Sequence, residues 1–290
     1  MKKYIRLLRL KHYIKNILIF LPMIFGKQLL DVAVLTDMLF GLVSFCAVSS
    51  AVYIFNDLCD AENDKKHPVK CNRPLANGTV TKRTAVIMFF VLLVICAAAN
   101  YFACGTNLFA WLMLAVYLIQ NILYSVKLKQ VPILDIAILA SGFLLRVFYG
   151  SAIADRPVSN WLYLTVIAVS FYLVLGKRRN ELVLQDENET RSVLKYYSYN
   201  FLDKNMYICS ALTIVFYSLW SVDSVTVEFF GSNAIVWTVP VVILICMTYS
   251  FAVEKSKADD PVDVLFGNKF LLGLIALYGL SVIGIIYLLK

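Results

Sequence analysis

Long apolar runs broken by short polar stretches set the pattern of this chain. A helix needs roughly 20 apolar residues to cross a bilayer. Nine segments read that way, at about 16–30, 34–56, 84–104, 107–126, 132–153, 160–176, 205–222, 233–253 and 269–289. The first is short and comes after a basic stretch, Lys2 to Lys15, suited to lying along a membrane surface. No Pro/Gly/Ser-rich linker and no clean internal repeat divides the chain. The expectation is all-α: an integral membrane bundle of nine transmembrane helices, with residues 1–290 as a single transmembrane catalytic domain.

Composition agrees with that picture. The 290 residues are 60% hydrophobic and 16% charged, against about 25% charged in soluble domains, which excludes a soluble enzyme. The absence of long polar low-complexity stretches excludes disorder. With the N-terminus in the cytoplasm and the spans alternating, 23 of the 27 Lys and Arg fall on the cytoplasmic side. Lys27, Arg156 and Lys290 fall opposite, and Arg146 lies within a helix. That bias predicts a multi-pass protein of the inner or plasma membrane with a cytoplasmic N-terminus. The net charge of +8 is thereby a topology signal, and no nucleic-acid partner is needed to explain it. No small-residue cleavage site comes after the basic N-terminus, so it reads as retained. The seven cysteines include no CxxC pair; Cys59 and Cys71 read as free thiols in a reducing compartment. Two histidines, His12 and His67, are too few for a histidine-rich metal site. The abundant aromatic residues fit interface belts and helix packing.

Chemistry concentrates on the cytoplasmic side. The run Asn56-Asp57-Leu58-Cys59-Asp60-Ala61-Glu62-Asn63-Asp64 closes the second span. If the helix continues through it, Asp57, Asp60 and Asp64 share one face, with Asn56 a turn before Asp60. Carboxylates that close repel unless a cation neutralises them. Mg²⁺ suits the site, being hard and commonly shared between carboxylates and a substrate phosphate. A solvated acidic helix end is the blander reading, but there the carboxylates would oppose the helix dipole. Downstream, Arg73 stands between Asn72 and Pro74, placed to fork onto phosphate oxygens. Lys65 and Lys66 read as topology charges.

Together, NDxxDxxxD and then RPLxxG on a chain of nine predicted spans resembles the UbiA superfamily of intramembrane prenyltransferases. The resemblance implies that Asn56, Asp57, Asp60 and Asp64 bind Mg²⁺ and a diphosphate, the three aspartates being catalytic. Ordinary members carry a second acidic motif, DxxxD, between the sixth and seventh helices. This chain has Gly176-Lys177-Arg178-Arg179-Asn180-Glu181-Leu182 there, and then Arg191-Ser192-Val193-Leu194-Lys195. A basic cluster favours direct phosphate contacts and a donor with more anionic groups than a prenyl diphosphate. The spacing from Asp259 to Asp263 reads as a loop coincidence, with Pro261 breaking the helical face.

The basic loop, Lys15-Asn16, the stretch from Tyr124 through Lys127 to Asp135, and Gly142 to Arg146 resemble the decaprenyl-phosphate phosphoribosyltransferase branch. That branch moves 5-phosphoribose from phosphoribosyl diphosphate (PRPP) to a polyprenyl phosphate and releases diphosphate. The implied substrate-binding residues are Lys15, Asn16, Asn56, Arg73, Tyr124, Lys127, Asp135, Arg146, Lys177, Arg178 and Glu181. Arg146 lies eleven residues beyond Asp135, about 16 Å along one helix. An arginine at that depth faces a polar cavity or an acidic partner, and a structural ion pair is the alternative. Tyr124 and Lys127, three apart, are expected to reach one pocket, whereas Lys129 reads as a topology charge. The alternative function is an ordinary UbiA prenyltransferase acting on a prenyl diphosphate and an aromatic acceptor. A transporter would be expected to show repeat symmetry. The expected partners are PRPP, a polyprenyl phosphate and membrane lipid, with a homo-oligomer left open.

Overall fold

The computed structural model describes residues 2–66, 70–184, 192–255 and 260–288, and among them there is no strand. The helices are α1 (Lys2–Leu8), α2 (Leu21–Phe25), α3 (Val32–Asp64), α4 (Lys82–Cys104), α5 (Leu108–Val126) and α6 (Leu134–Ala154). They continue as α7 (Asn160–Val183), α8 (Tyr199–Val222), α9 (Ser224–Phe230), α10 (Val239–Lys255), α11 (Pro261–Gly267) and α12 (Lys269–Leu288). Eight helical segments among the described residues are long and apolar enough to cross a membrane. The nine-span expectation exceeds that count at its first member. Residues Leu10–Phe20 form a 3-10 helix, and the five-residue α2 comes next with Pro22 in its first turn. Proline lacks the N–H that a continuous helical ladder would need there.

Other differences from expectation have similarly local causes. The span predicted to end at 176 runs on to Val183 as α7. Lys177, Arg178 and Glu181 therefore stand on a helix rather than in a loop, because charge ends the hydropathy signal without breaking the helix. Tyr199 opens α8 earlier than predicted, where the Ser198 hydroxyl caps it by accepting from Phe201 N at 3.1 Å. Pro261 does not break a face but starts α11, behind an Asp260 cap that accepts from Val262 N at 2.9 Å; proline suits a first helical turn.

The chain divides into two compact units. The first comprises Met1–Ile138 and Leu145–Pro157; the second comprises Leu139–Leu144 and Val158–Lys290. In the first, α3 packs against α1, the 3-10 segment, α4 and α5. Phe45 on α3 lies 4.7 Å from the ring of Tyr117 and 5.4 Å from that of Tyr149. The backbone of α6 meets the 3-10 segment at Gly150, where a Cβ would fall 1.9 Å from the Ile19 carbonyl oxygen. Only a glycine permits that approach, the kind of small-residue contact by which helices associate in lipid.

In the second unit, α7 pairs with α8, and α10 packs on α7, α8 and α12. The Tyr172 hydroxyl lies 2.7 Å from both the Cys246 carbonyl and the Ser250 hydroxyl, joining α7 to α10. On the spans, large apolar side chains such as Phe90, Val94 and Leu280 remain exposed, as befits surfaces bathed in hydrocarbon.

The length of α3 positions the chemistry. Its 33 residues extend about 50 Å, well beyond the ~30 Å hydrocarbon thickness. The acidic last turns therefore extend past the apolar body of the same helix.

Candidate active site

The helix does run through the acidic motif, so Asp57, Asp60 and Asp64 share the end of α3. Asp57 is only 2% exposed and Asp64 only 5%; carboxylates at that burial require charge partners. Arg73 supplies one: its Nη1 lies 2.8 Å from Asp64 Oδ2 and 3.2 Å from Asp57 Oδ1. Residues 74–80 anchor the segment that carries Arg73. Leu75 and Val80 are buried against Ile54 of α3, and Val80 N donates to the Pro74 carbonyl at 3.0 Å. Gly78 takes φ 73° in the intervening turn, a left-handed conformation that glycine adopts freely.

Two further cations complete the cluster, and the sequence signalled neither. Arg9 donates from Nη2 to the same Asp57 oxygen at 2.5 Å, its guanidinium 5.0 Å above the Tyr53 ring. Lys129 pairs with Asp60 Oδ1. The second correction has a clear cause. Helix α5 stops at Val126, and Lys127 takes φ −145°, so the expected three-residue spacing to Tyr124 is not helical at its end. Lys127 is exposed, its side chain without an ion-pair partner among the described residues, while the next 3-10 turn, Leu128–Gln130, aims Lys129 at α3. Asn56 donates to Asp60 Oδ2 at 3.2 Å and accepts from the Ser125 hydroxyl at 3.2 Å. Tyr124 is buried at 7%.

A second polar group is enclosed in the same unit. Arg146, 5% exposed, donates from Nε to Asn16 Oδ1 at 2.8 Å and from Nη2 to the Tyr117 hydroxyl at 3.2 Å. Its guanidinium sits 5.0 Å from the Phe45 ring and 5.1 Å from the Tyr117 ring. Asn16 is fully buried and also reaches Cys46 Sγ at 3.1 Å. Lys15 is half-buried on the same 3-10 segment. Asp135 is fully buried in the first turn of α6, where the helix dipole favours a carboxylate.

In the second unit, the basic residues of α7 meet acids. Lys177 Nζ lies 3.6 Å from Asp260 Oδ2 and 3.8 Å from Glu181 Oε1. Arg178 has no exposed surface and pairs with Glu181. Arg179 reaches across helices to Asp203 of α8 at 2.7 Å and Glu254 of α10 at 3.6 Å. Asp260 was legible only as part of an apparent coincidence. Residues 67–69, Arg191, Asp259 and Lys290, which bear on the motifs and charges above, lie outside the described residues.

Does the α3 end fit Mg²⁺? Among the described residues, no three acidic, His or Cys side chains face one point. Two do: Asp57 and Asp64 converge on one nitrogen of Arg73, so a positive charge already stands where both aspartates point. Mg²⁺ is usually held by one or two carboxylates plus substrate phosphates. The hard-oxygen donor set fits that pattern, with Asp60 and Asn56 one turn along the same helix.

A decaprenyl-phosphate phosphoribosyltransferase of Corynebacterium glutamicum is 28% identical over 275 residues, 92% of this chain and 81% of that protein. One of Mycobacterium tuberculosis is 28% identical over 288 residues, covering 97% and 92%. Among solved structures, a UbiA homolog from Archaeoglobus fulgidus bound to DMAPP and Mg²⁺ has the same fold. It superposes with TM-score 0.73 at 20% identity, over 99% of this chain and all of that one. The model of the UbiA prenyltransferase family matches residues 19–272. The chain belongs to the UbiA prenyltransferase family and is a multi-pass membrane transferase.

Proposed function

We propose that this enzyme transfers 5-phosphoribose from PRPP to a polyprenyl phosphate at the cytoplasmic face of the membrane, with Mg²⁺, releasing diphosphate. The observation that carries the reading is the end of α3. There, two buried carboxylates face one point, and three cations from other segments ring the acids. The relatives of 28% identity, named as decaprenyl-phosphate phosphoribosyltransferases, support the choice of a phosphoribosyl group and a polyprenyl phosphate.

Asp57 and Asp64, with Asp60 and Asn56 beside them, would hold Mg²⁺. When bound, the ion neutralises charge that develops on a departing diphosphate. Arg73 forks onto diphosphate oxygens as it leaves the carboxylates. The bond from ribose C1 to the diphosphate oxygen breaks, and one from C1 to the lipid phosphate oxygen forms. That oxygen needs no general base, because a phosphate monoester's second pKa is about 6. The residues' work is positioning and electrostatics, and exclusion of water protects the donor.

A paired assay tests this on detergent-purified protein with Mg²⁺. One arm receives labelled PRPP and a polyprenyl phosphate; the other receives a labelled prenyl diphosphate and aromatic acceptors. We expect EDTA-sensitive transfer of label to lipid in the first arm. Product in the second arm alone would overturn the donor assignment in favour of conventional prenyl transfer.

A further inference from the structure

The N-terminal segment contributes a charge to this site that the motif does not explain. Arg9 joins α1 to the 3-10 helix at φ 54°, ψ 48°, a left-handed conformation uncommon outside glycine. Such conformations persist where the surroundings over-determine them, and here they do. Leu7 is fully buried against Ile54, Leu75, Val80 and Ala85. The Ser50 hydroxyl donates to the Leu8 carbonyl at 2.9 Å, and Tyr13 reaches the same hydroxyl at 2.7 Å. The segment is pinned to α3 on both sides of Arg9, and the strained residue delivers its guanidinium to Asp57.

Two arginines thus converge on one oxygen of Asp57. They are not equivalent. Arg73 has Asp64 as a second carboxylate, whereas among the described residues Asp57 is the one carboxylate that Arg9 contacts. With Asp57 turned to a metal ion, Arg9 would lose its carboxylate and stand as a cation beside a cation. The oxygens of a donor diphosphate would then accept the Arg9 guanidinium.

Resting on the reading above, we propose that Arg9 is a positioning residue: it occupies Asp57 until metal and diphosphate arrive together, disfavouring metal binding without donor. The test is Mn²⁺ binding to the full-length protein in detergent, read by electron paramagnetic resonance with no donor present. In Arg9→Ala, Mn²⁺ should bind about tenfold tighter than in wild type, the size expected when a competing charge-assisted hydrogen bond is removed. Arg9→Lys, which keeps the charge, should return close to the wild-type affinity. In turnover, Arg9→Ala should raise the donor KM. A merely structural role predicts the opposite sign, weaker Mn²⁺ binding, as the segment loosens. Unchanged or weaker Mn²⁺ binding in a folded Arg9→Ala protein would overturn the inference; Arg9→Gln serves if the alanine variant does not fold. Asp57→Asn separates the two levels. If wild type and Asp57→Asn bind Mn²⁺ equally, the metal reading itself fails, and this inference with it.

Discussion

The end of α3 and the end of α7 are built from the same materials with the signs exchanged. On α3 the acids share one helix, and Arg9, Arg73 and Lys129 come to them from the N-terminal segment and two loops. On α7 the bases are consecutive, and the acids come from the helix itself, from α8 and α10, and from the cap of α11. The difference in enclosure is instructive. The α3 cations remain 22%, 26% and 14% exposed, whereas Arg178 is 0% and Arg179 is 5% exposed. Partly exposed cations on connecting segments can exchange a carboxylate for a phosphate at modest cost. An enclosed arginine cannot leave its carboxylate without stranding its own buried charge. The first arrangement suits a site that changes partners, the second a joint.

The sharpest way to break this contrast is at the joint. Arg179→Ala should destabilise the protein by about 2–3 kcal/mol, the loss of charge-assisted hydrogen bonds from an enclosed arginine whose acids keep some access to water, as measured by thermal unfolding in detergent. The surviving folded fraction should keep its donor KM. Next in size, Arg73→Ala should lower the transfer rate on the order of thirtyfold, from the loss of a charge-assisted fork worth about 2 kcal/mol. Arg73→Lys should restore little of that, because an ammonium cannot bridge two groups as a planar guanidinium does. Smallest is Lys177→Ala. Its contacts are long and partly exposed, so the stability loss should stay below about 1 kcal/mol. A donor KM raised more than severalfold in this variant would put the α7 end to work on the substrate and dissolve the contrast.

The sequence made the spans legible because hydropathy is summed over some twenty positions, and the acidic motif because its spacing matches the helical repeat. It could not show where non-helical segments deliver their side chains. Lys127 and Lys129 are alike as letters; the end of α5 at Val126 decides that Lys129, not Lys127, meets Asp60. Arg9 is inconspicuous among six basic residues of the N-terminus, since its role depends on one left-handed residue and on Leu7 docking beneath α3. Asp260 looks accidental because Pro261 resembles a breaker, yet at a first helical turn proline belongs. The 3-10 helix over Leu10–Phe20 is hidden for a simpler reason: its apolar content matches that of a span, and only Pro22 marks the change.

The central claim is that the end of α3 holds the metal and the diphosphate. Asp64→Asn tests it most directly, since it removes one of the two carboxylates that converge on Arg73 while preserving shape. Initial rates of PRPP-dependent transfer should be measured across a Mg²⁺ titration in the variant and wild type, with folding checked by size exclusion and circular dichroism. The account predicts a folded protein whose rate falls at least about a hundredfold and does not recover as Mg²⁺ is raised. Wild-type turnover at ordinary Mg²⁺ would contradict it and leave the acidic end of α3 as a structural ion-pair cluster.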